Sequence, residues 1–496
     1  MANPQAQASP LPSSLTNFGI RVPGWLVIGS LAAAALVLRL ALASIHGFGI
    51  DIGTFQAWSG SLAHEGPWNF YQDGKFTDYA PGYMYVLLLI GKMVQLFNLN
   101  DSQFEYALKI PSIVADIGSA LLLYRMLDKQ RPVVQLFATS VYLFFPCALL
   151  VGSVWGQVDS VLAFFLLLTV YFVGRNKPVA GALAFSIGFL IKPQAAAALP
   201  FLAFWIIREH PVRWDDFTAF VRYLLPPYSR GRPGPPRNPR VIAECIIYPI
   251  ILILILVIPF FELQPWKLLD VLYKATNVPN YRVNSFWSYN FWNTGGVFKM
   301  GFKCDLAGAC DAKATQFLGM STRWWSLILF ATALASVIAV LRNARGMGFL
   351  ALGTALSTMA FYMFLTRMHE RYVFPAFLPL LLACALIQSR FLWAGFVAMA
   401  TVHFLNLYHV FGYYFFFSEK ERDRFPDFLR VPRLYNWLQG KAFGADPPGF
   451  ISNLPFGIGS METLQLMSIL FVTAFVVVLA WAFVLAERRG RAIEAA

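Results

Sequence analysis

Charge is scarce in this 496-residue chain: 13% of its residues are Asp, Glu, Lys or Arg, whereas 58% are hydrophobic. A soluble protein of this length has too little interior to hide so much apolar side chain, so the scarcity excludes a soluble enzyme and makes lipid the solvent. The first apolar run, "WLVIGSLAAAALVLRLALASI", follows a polar tail and lacks the basic flank and small-residue cleavage site of a removable signal peptide. Acidic residues are the scarcer sign, 26 against 39 basic, giving a net charge of +13. The basic residues sit in connections between apolar runs and not on one face, which excludes a nucleic-acid surface and makes the charge orientation information. Five cysteines are present. Cys147, Cys245 and Cys384 lie in apolar runs and read as packed thiols. Cys304 and Cys310 in "KCDLAGAC" form either a disulfide or two free thiols.

What is abundant is apolar runs near the roughly 20 residues that cross a bilayer. Twelve spans are expected, at about 24–45, 108–126, 133–151, 158–173, 178–191, 194–208, 241–260, 324–342, 347–365, 372–388, 391–412 and 463–485. With the N-terminus inside, the basic connections "RMLDKQR", "GRNK", "RNAR", "ERRGR" and the Arg-rich 208–240 segment all fall on the cytoplasmic side. This requires "YMYVLLLIGKMVQLF", at 83–97, to lie at the membrane surface without crossing. The expected organisation is a cytoplasmic tail 1–23, a transmembrane core 24–412 with outer loops 46–107 and 261–323, and an outer segment with a final helix, 413–496. The 226–240 stretch, rich in Arg and Pro, reads as a flexible cytoplasmic linker, with anionic headgroup binding as a second use.

The opposite face then collects the polar motifs: Asp51 after the first span, "DYAPGY" at 78–83, "WGQVDS" at 155–160, "IKPQ" at 191–194, "NSFWSYN" at 284–290 and "TRMHERY" at 366–372. Each has a bland reading. Asp51 fits a solvated boundary residue, Asp78 a turn cap, and Asp159 or Ser160 a helix N-cap. Lys192 fits either a snorkelling side chain or an unwound, ligand-facing turn. Arg367, His369, Glu370 and Arg371 fit a self-neutralising ion network. Convergence on one face favours a site, because ionisable groups near a bilayer are costly and tend to line sites or pathways. Basic groups at membrane level beside isolated carboxylates suit a lipid-phosphate donor and a hydroxyl acceptor: Arg and Lys hold the phosphate, and a carboxylate takes the acceptor proton. No nucleophilic Ser or Cys arrangement is visible, which favours single displacement with inversion.

In this order the motifs resemble the GT-C superfamily of polyprenyl-phosphate-sugar-dependent glycosyltransferases, most closely the dolichyl-phosphate-glucose-dependent glucosyltransferases of asparagine-linked glycosylation and their bacterial relatives. The resemblance runs from about Asp51 to Leu380. It implies an all-α polytopic GT-C fold of about twelve transmembrane helices, whose large first outer loop carries membrane-surface helices. It also implies an active site on the periplasmic or luminal side of a bacterial inner membrane or an ER membrane. Carried over, Asp51 matches the catalytic carboxylate, His369 and Arg371 the donor-phosphate contacts, Asp78 and Tyr79 the mouth of the cavity, and Lys192 and Gln194 its short turn. Arg367 is placed with the phosphate contacts, and Glu370 as orienting those cations. Trp155, Gln157, Asp159, Trp287 and Asn290 complete the substrate-facing set.

Arg371 stands where the eukaryotic glucosyltransferases usually have Lys, and "WGQVDS" is closer to bacterial and mannosyltransferase-like members, so the sugar stays open among glucose, mannose, another hexose and arabinofuranose. No Asp-x-Asp stands beside "WGQVDS", so no cofactor or metal is expected to be required; Asp51 with Asp159 is the alternative metal pair. Expected partners are a polyprenyl-phosphate-sugar donor, membrane lipids, and a lipid-linked glycan, envelope glycan or protein acceptor, with no nucleic acid. The alternative is a transporter or lipid flippase. Against it stand the absence of an internal repeat and the confinement of polar groups to one face.

Overall fold

The computed structural model describes residues 24–71, 77–224, 237–277, 285–286, 288–294, 316–417 and 463–494. Cys304, Cys310 and Trp287 lie outside the described residues. The architecture is all-α apart from two-residue strands, and the chain is a multi-pass integral membrane protein. Among the described residues nine helices are long and apolar enough to cross a membrane: Gly24–Ala43, Asp101–Met126, Pro132–Trp155, Arg237–Phe260, Thr322–Leu341, Met347–Phe364, Glu370–Ile387, Arg390–Gly412 and Gln465–Arg488.

The twelve expected segments are all helical: nine of them belong to full-length helices and three are short. The short ones are Asp159–Gly174, Pro178–Ile191 and Leu199–Glu209, of 16, 14 and 11 residues. Lys192 and Pro193 cause the break between the last two. Lys192 is extended (φ −146°, ψ 117°), as a residue before proline prefers, and Pro193 opens the 3₁₀ segment Pro193–Ala198. At 1.5 Å per residue, 16 and 14 residues reach about 24 and 21 Å, less than the roughly 30 Å hydrocarbon core.

The two central helices, Met347–Phe364 and Glu370–Ile387, are 83% and 89% buried, whereas Arg237–Phe260 is only 6% buried and stands at the periphery. Association of apolar helices in lipid rests on close packing, since the surroundings are as apolar as the side chains. Accordingly Gly353 in the first central helix sits directly against the Phe201 ring.

The basic connections gather at one end of the bundle. Arg175 pairs with Asp128 (3.5 Å), Arg345 with Glu209 (2.7 Å), and Gln388 donates to Gln130 (2.8 Å). Arg208 donates to the carbonyls of Leu341 and Arg342 at 3.1 and 2.9 Å. The polar motifs gather at the opposite end, the site end. Helix Pro81–Phe97 has both termini there. Its Gly82 lies on the backbone of Leu190, where a Cβ would come within 2.6 Å. Its other end turns through left-handed Asn98 (φ 49°) and the Asn100–Gln103 capping box into Asp101–Met126. Lys109 of that helix donates to the Ala43 carbonyl (3.0 Å) and to that of Ile45, just past the end of the first span. Both termini of 81–97 thus meet elements of the site end. Lys92 donates to the Ala63 carbonyl of helix Gly49–Glu65 at 2.6 Å.

Candidate active site

The site begins where Pro132–Trp155 ends. Over Leu149–Trp155 the helix widens to π geometry, a device often found at functional sites. Gly156 then adopts a left-handed conformation (φ 88°), and a Cβ on it would stand 2.6 Å from Ile52. The turn continues through Gln157, whose carbonyl accepts from Ser112 Oγ at 2.6 Å. Helix Asp159–Gly174 follows with Asp159 in its first turn, where the helix dipole favours a carboxylate. From "WGQVDS", Trp155 reaches the helix that follows the first span.

That helix, Gly49–Glu65, carries Asp51 in its own first turn. Trp155 Nε1 donates to Asp51 Oδ2 at 2.7 Å. Phe48 N donates to the Trp155 carbonyl (3.2 Å), and the two rings stack with centroids 4.7 Å apart. Asp51 Oδ1 lies 3.6 Å from Arg371 Nη2. Arg371 is carried by the 3₁₀ segment Glu370–Ala376, directly after the strand Met368–His369. That strand pairs in parallel with Ser285–Phe286, in register Ser285 to Met368 and Phe286 to His369, so "NSFWSYN" and "MHER" are tied by their backbones.

Arg371 is the hub. Its Nη1 donates to Glu370 Oε1 at 2.8 Å, its Nε stands 4.0 Å from Asp159 Oδ2, and its guanidinium lies 5.7 Å from the Trp155 ring centre. Lys192 donates to Asp159 Oδ1 at 2.7 Å and stands 5.6 Å from each of the Tyr79 and Tyr372 ring centres. Tyr79 OH donates to Gln157 Oε1 at 3.3 Å, and its carbonyl accepts from Tyr71 OH at 2.8 Å. Asp51, Tyr79, Trp155, Gln157, Asp159, Lys192, Glu370 and Arg371 are thus one connected cluster. The cation between Asp51 and Asp159, the alternative metal pair, is Arg371 itself.

Ion pairing inside the cluster realises much of the self-neutralising reading, with one opening. Among the described residues Arg371 Nε and Asp159 Oδ2 are buried and make no hydrogen bond, although they face each other across 4.0 Å. A buried donor and acceptor left unmade are costly, about 1–3 kcal/mol each, and such groups call for an explanation such as a ligand. Gln194 Oε1 is a third such atom.

Solvent reaches the carboxylates unequally: the Asp51 side chain is 18% exposed, Asp159 fully buried and Glu370 at 2%. Asp78 is also partly accessible. Burial pushes the Asp78 carboxyl up to about 6 and Asp51 adds to the rise; a hydrogen bond to its own backbone and the positive charges of Lys192 and Arg371 only partly offset it. Burial, then Arg371 and Lys192, hold His369 well below the usual imidazole value. His369 is therefore neutral near pH 7 and offers a phosphate one N–H donor and no charge, which revises its expected part as half of a cationic clamp. It stands 5.0 Å, ring to ring, from Tyr372 and 3.8 Å from Glu370 Oε2.

Other expected residues sit elsewhere. Arg367 has a left-handed backbone (φ 66°) before the strand. Asn290 is a buried cap, accepting from Trp292 N (3.1 Å) and donating to the Tyr362 carbonyl (3.3 Å), which gives it a structural part in place of a substrate-facing one.

The motifs do not point to two further polar groups beside the site. Glu105 accepts from Gly47 N at 2.6 Å and from Lys109 at 2.8 Å, and lies 2.7 Å from His46 Nδ1, anchoring the turn that leads into Asp51. One layer deeper, Arg39 pairs with Asp116 (3.5 Å) and donates to the Leu143 carbonyl (2.5 Å), while Tyr142 OH donates to Asp116 at 3.0 Å. The signal was present: Arg39, Lys109 and Asp116 are ionisable residues inside predicted spans, and Glu105 and Lys109 are four apart on one helix face.

No family model and no curated protein matches the sequence. Among solved structures the chain is similar to ArnT from Cupriavidus metallidurans bound to undecaprenyl phosphate, at 14% identity and TM-score 0.48, covering 95% of this chain and 79% of that one. It is similar to ArnT from the same organism in the apo state at 14% identity and TM-score 0.46, covering 94% and 78%.

Proposed function

We propose that this protein is a membrane glycosyltransferase of GT-C type, which moves a sugar from a polyprenyl-phosphate-linked donor to a hydroxyl acceptor at the site end of the bundle. The basic end is then cytoplasmic, and the site faces the periplasm or lumen. The observation that carries the reading is the assembly of Asp51, Asp159, Lys192 and Arg371, drawn from four separated motifs, into one recessed cluster with an unmet guanidinium N–H.

In this mechanism Arg371 and Lys192 hold the donor phosphodiester and stabilise the charge that grows on the leaving phosphate. Asp51 accepts the acceptor hydroxyl's proton as the oxygen forms its bond to the anomeric carbon. The anomeric carbon–oxygen bond to phosphate breaks on the opposite face, its electron pair leaves with the polyprenyl phosphate, and the configuration inverts. Trp155 keeps Asp51 oriented through its indole N–H, and Glu370 orients Arg371. Asp78 is the second reading for the base: it too is partly accessible, and its carboxyl is set nearer the working pH.

Profiling purified protein with synthetic short-chain polyprenyl-phosphate sugars (glucose, mannose and arabinofuranose), with mass spectrometry of the products, tests the proposal. Transfer from one of them supports it. Translocation of lipid in vesicles with no transfer from any donor would favour a flippase and overturn it.

A further inference from the structure

The basic end holds a cavity of about 430 Å³ whose lining includes Trp205, Glu209, Arg237, Asn238 and Arg345. Glu209 is its single carboxylate among the described residues, and it is held by Arg208 at 2.9 Å and by Arg345 at 2.7 Å. The lining therefore carries more positive than negative charge. Sharing Asn176 and Pro178 with it is a second hollow of about 530 Å³, apolar apart from Asn176 and Lys177, lined by Ala180, Leu183, Val241 and Tyr248. This hollow lies between helices Pro178–Ile191 and Arg237–Val257, both of which begin at the basic end. The second of these belongs to the peripheral span that is only 6% buried, so the hollow lies beside the lipid-facing flank of the bundle. A cationic chamber that continues into an apolar slot, at the level where hydrocarbon meets headgroups, matches one kind of molecule in both parts.

We propose that this end binds one anionic phospholipid. Its phosphate lies against Arg237 and Arg345, and one acyl chain fills the slot between the two helices below Lys177. Inorganic phosphate satisfies the cations but leaves the slot empty, and a zwitterionic lipid fills the slot but brings its own ammonium toward the arginines. The proposal rests on the membrane reading alone and stands whether or not the opposite end transfers sugar.

The test uses delipidated full-length protein, titrated with phosphatidylglycerol, with phosphatidylcholine of the same chains and with inorganic phosphate, and followed by native mass spectrometry. Phosphatidylglycerol is expected to bind about tenfold or more tighter than phosphatidylcholine, and its binding to weaken as salt is raised. Arg237→Gln with Arg345→Gln is expected to lose about 30-fold in phosphatidylglycerol affinity, the equivalent of roughly 1 kcal/mol per cation. The Arg237→Lys and Arg345→Lys pair should retain most of it. Ala180→Phe, which fills the slot, should weaken both lipids. Arg237 is exposed, so Arg237→Gln alone supplies a folded variant, with a loss of about fivefold expected. Equal binding of the two lipids, unchanged binding by Arg237→Gln, or displacement of phosphatidylglycerol by millimolar inorganic phosphate would each overturn the proposal.

Discussion

Replacing Asp51 by Asn removes a charge while leaving the shape. The Asn carbonyl can still accept the Trp155 indole N–H, now 2.7 Å from Asp51 Oδ2, so the helix start stays anchored. Two things change. The group loses its basicity, and general-base assistance is worth about 10²–10⁴-fold, or roughly 3–5.5 kcal/mol of barrier. Arg371 also loses a carboxylate 3.6 Å away. At an effective dielectric of about 20 that attraction is at most roughly 4–5 kcal/mol, and its loss leaves the guanidinium freer for a donor phosphate. The expected signature is opposed: kcat falls at least 100-fold while donor Kd stays the same or tightens. Single-turnover transfer from a short-chain donor, with equilibrium binding of the same donor, reads both. A variant that keeps more than about a tenth of wild-type turnover would refute Asp51 as the base. Asp78→Asn in the same assay decides between the two carboxylates.

Arg371→Gln should weaken donor binding and lower the Tm, because removing one partner of the buried pair with Glu370, now 2.8 Å apart, costs about 3–5 kcal/mol; Arg371→Lys should keep part of the affinity. Trp155→Phe removes the hydrogen bond to Asp51 and is expected to lower kcat about tenfold with donor Kd unchanged, as a positioning residue should. Asp78 is neutral below about pH 6 and charged above it, whereas a phosphodiester donor stays monoanionic over this range. The new negative charge competes for Lys192 and Arg371, so donor affinity should fall severalfold from pH 5 to pH 7. Asp78→Asn should flatten that dependence, and a wild-type profile without the step would remove Asp78 from the phosphate's surroundings.

Much of this was legible from residue chemistry. Apolar runs marked the helices, Lys and Arg divided the connections into two ends, and the isolated polar motifs marked the site. Other features depend on contacts remote in sequence. The π segment before Trp155 and the pairing of Ser285–Phe286 with Met368–His369 arise from packing, which no local propensity records. His369 looked cationic because its string is basic, yet burial beside Arg371 and Lys192 makes it neutral. Asn290 looked ligand-facing beside its aromatics, but its amide closes a local turn. The three short helices were legible too, since their apolar runs at 158–173, 178–191 and 194–208 are shorter than the rest.

That inequality of length bears on which acceptor the reaction admits. The helices ending at Lys192 and beginning at Asp159 are 14 and 16 residues long, and fall roughly 6–9 Å short of a full hydrocarbon core. Gly174 and Pro178, their far ends, stand at the basic end of the bundle, so the ionic cluster sits closer to that end than full-length spans would place it. On the proposed function, an acceptor has to descend to the partly exposed Asp51 and, once seated, itself covers the carboxylate against water. On that reading the two truncated helices set how far into the bundle the acceptor must reach, and so favour a slender hydroxyl-bearing chain over a bulky one.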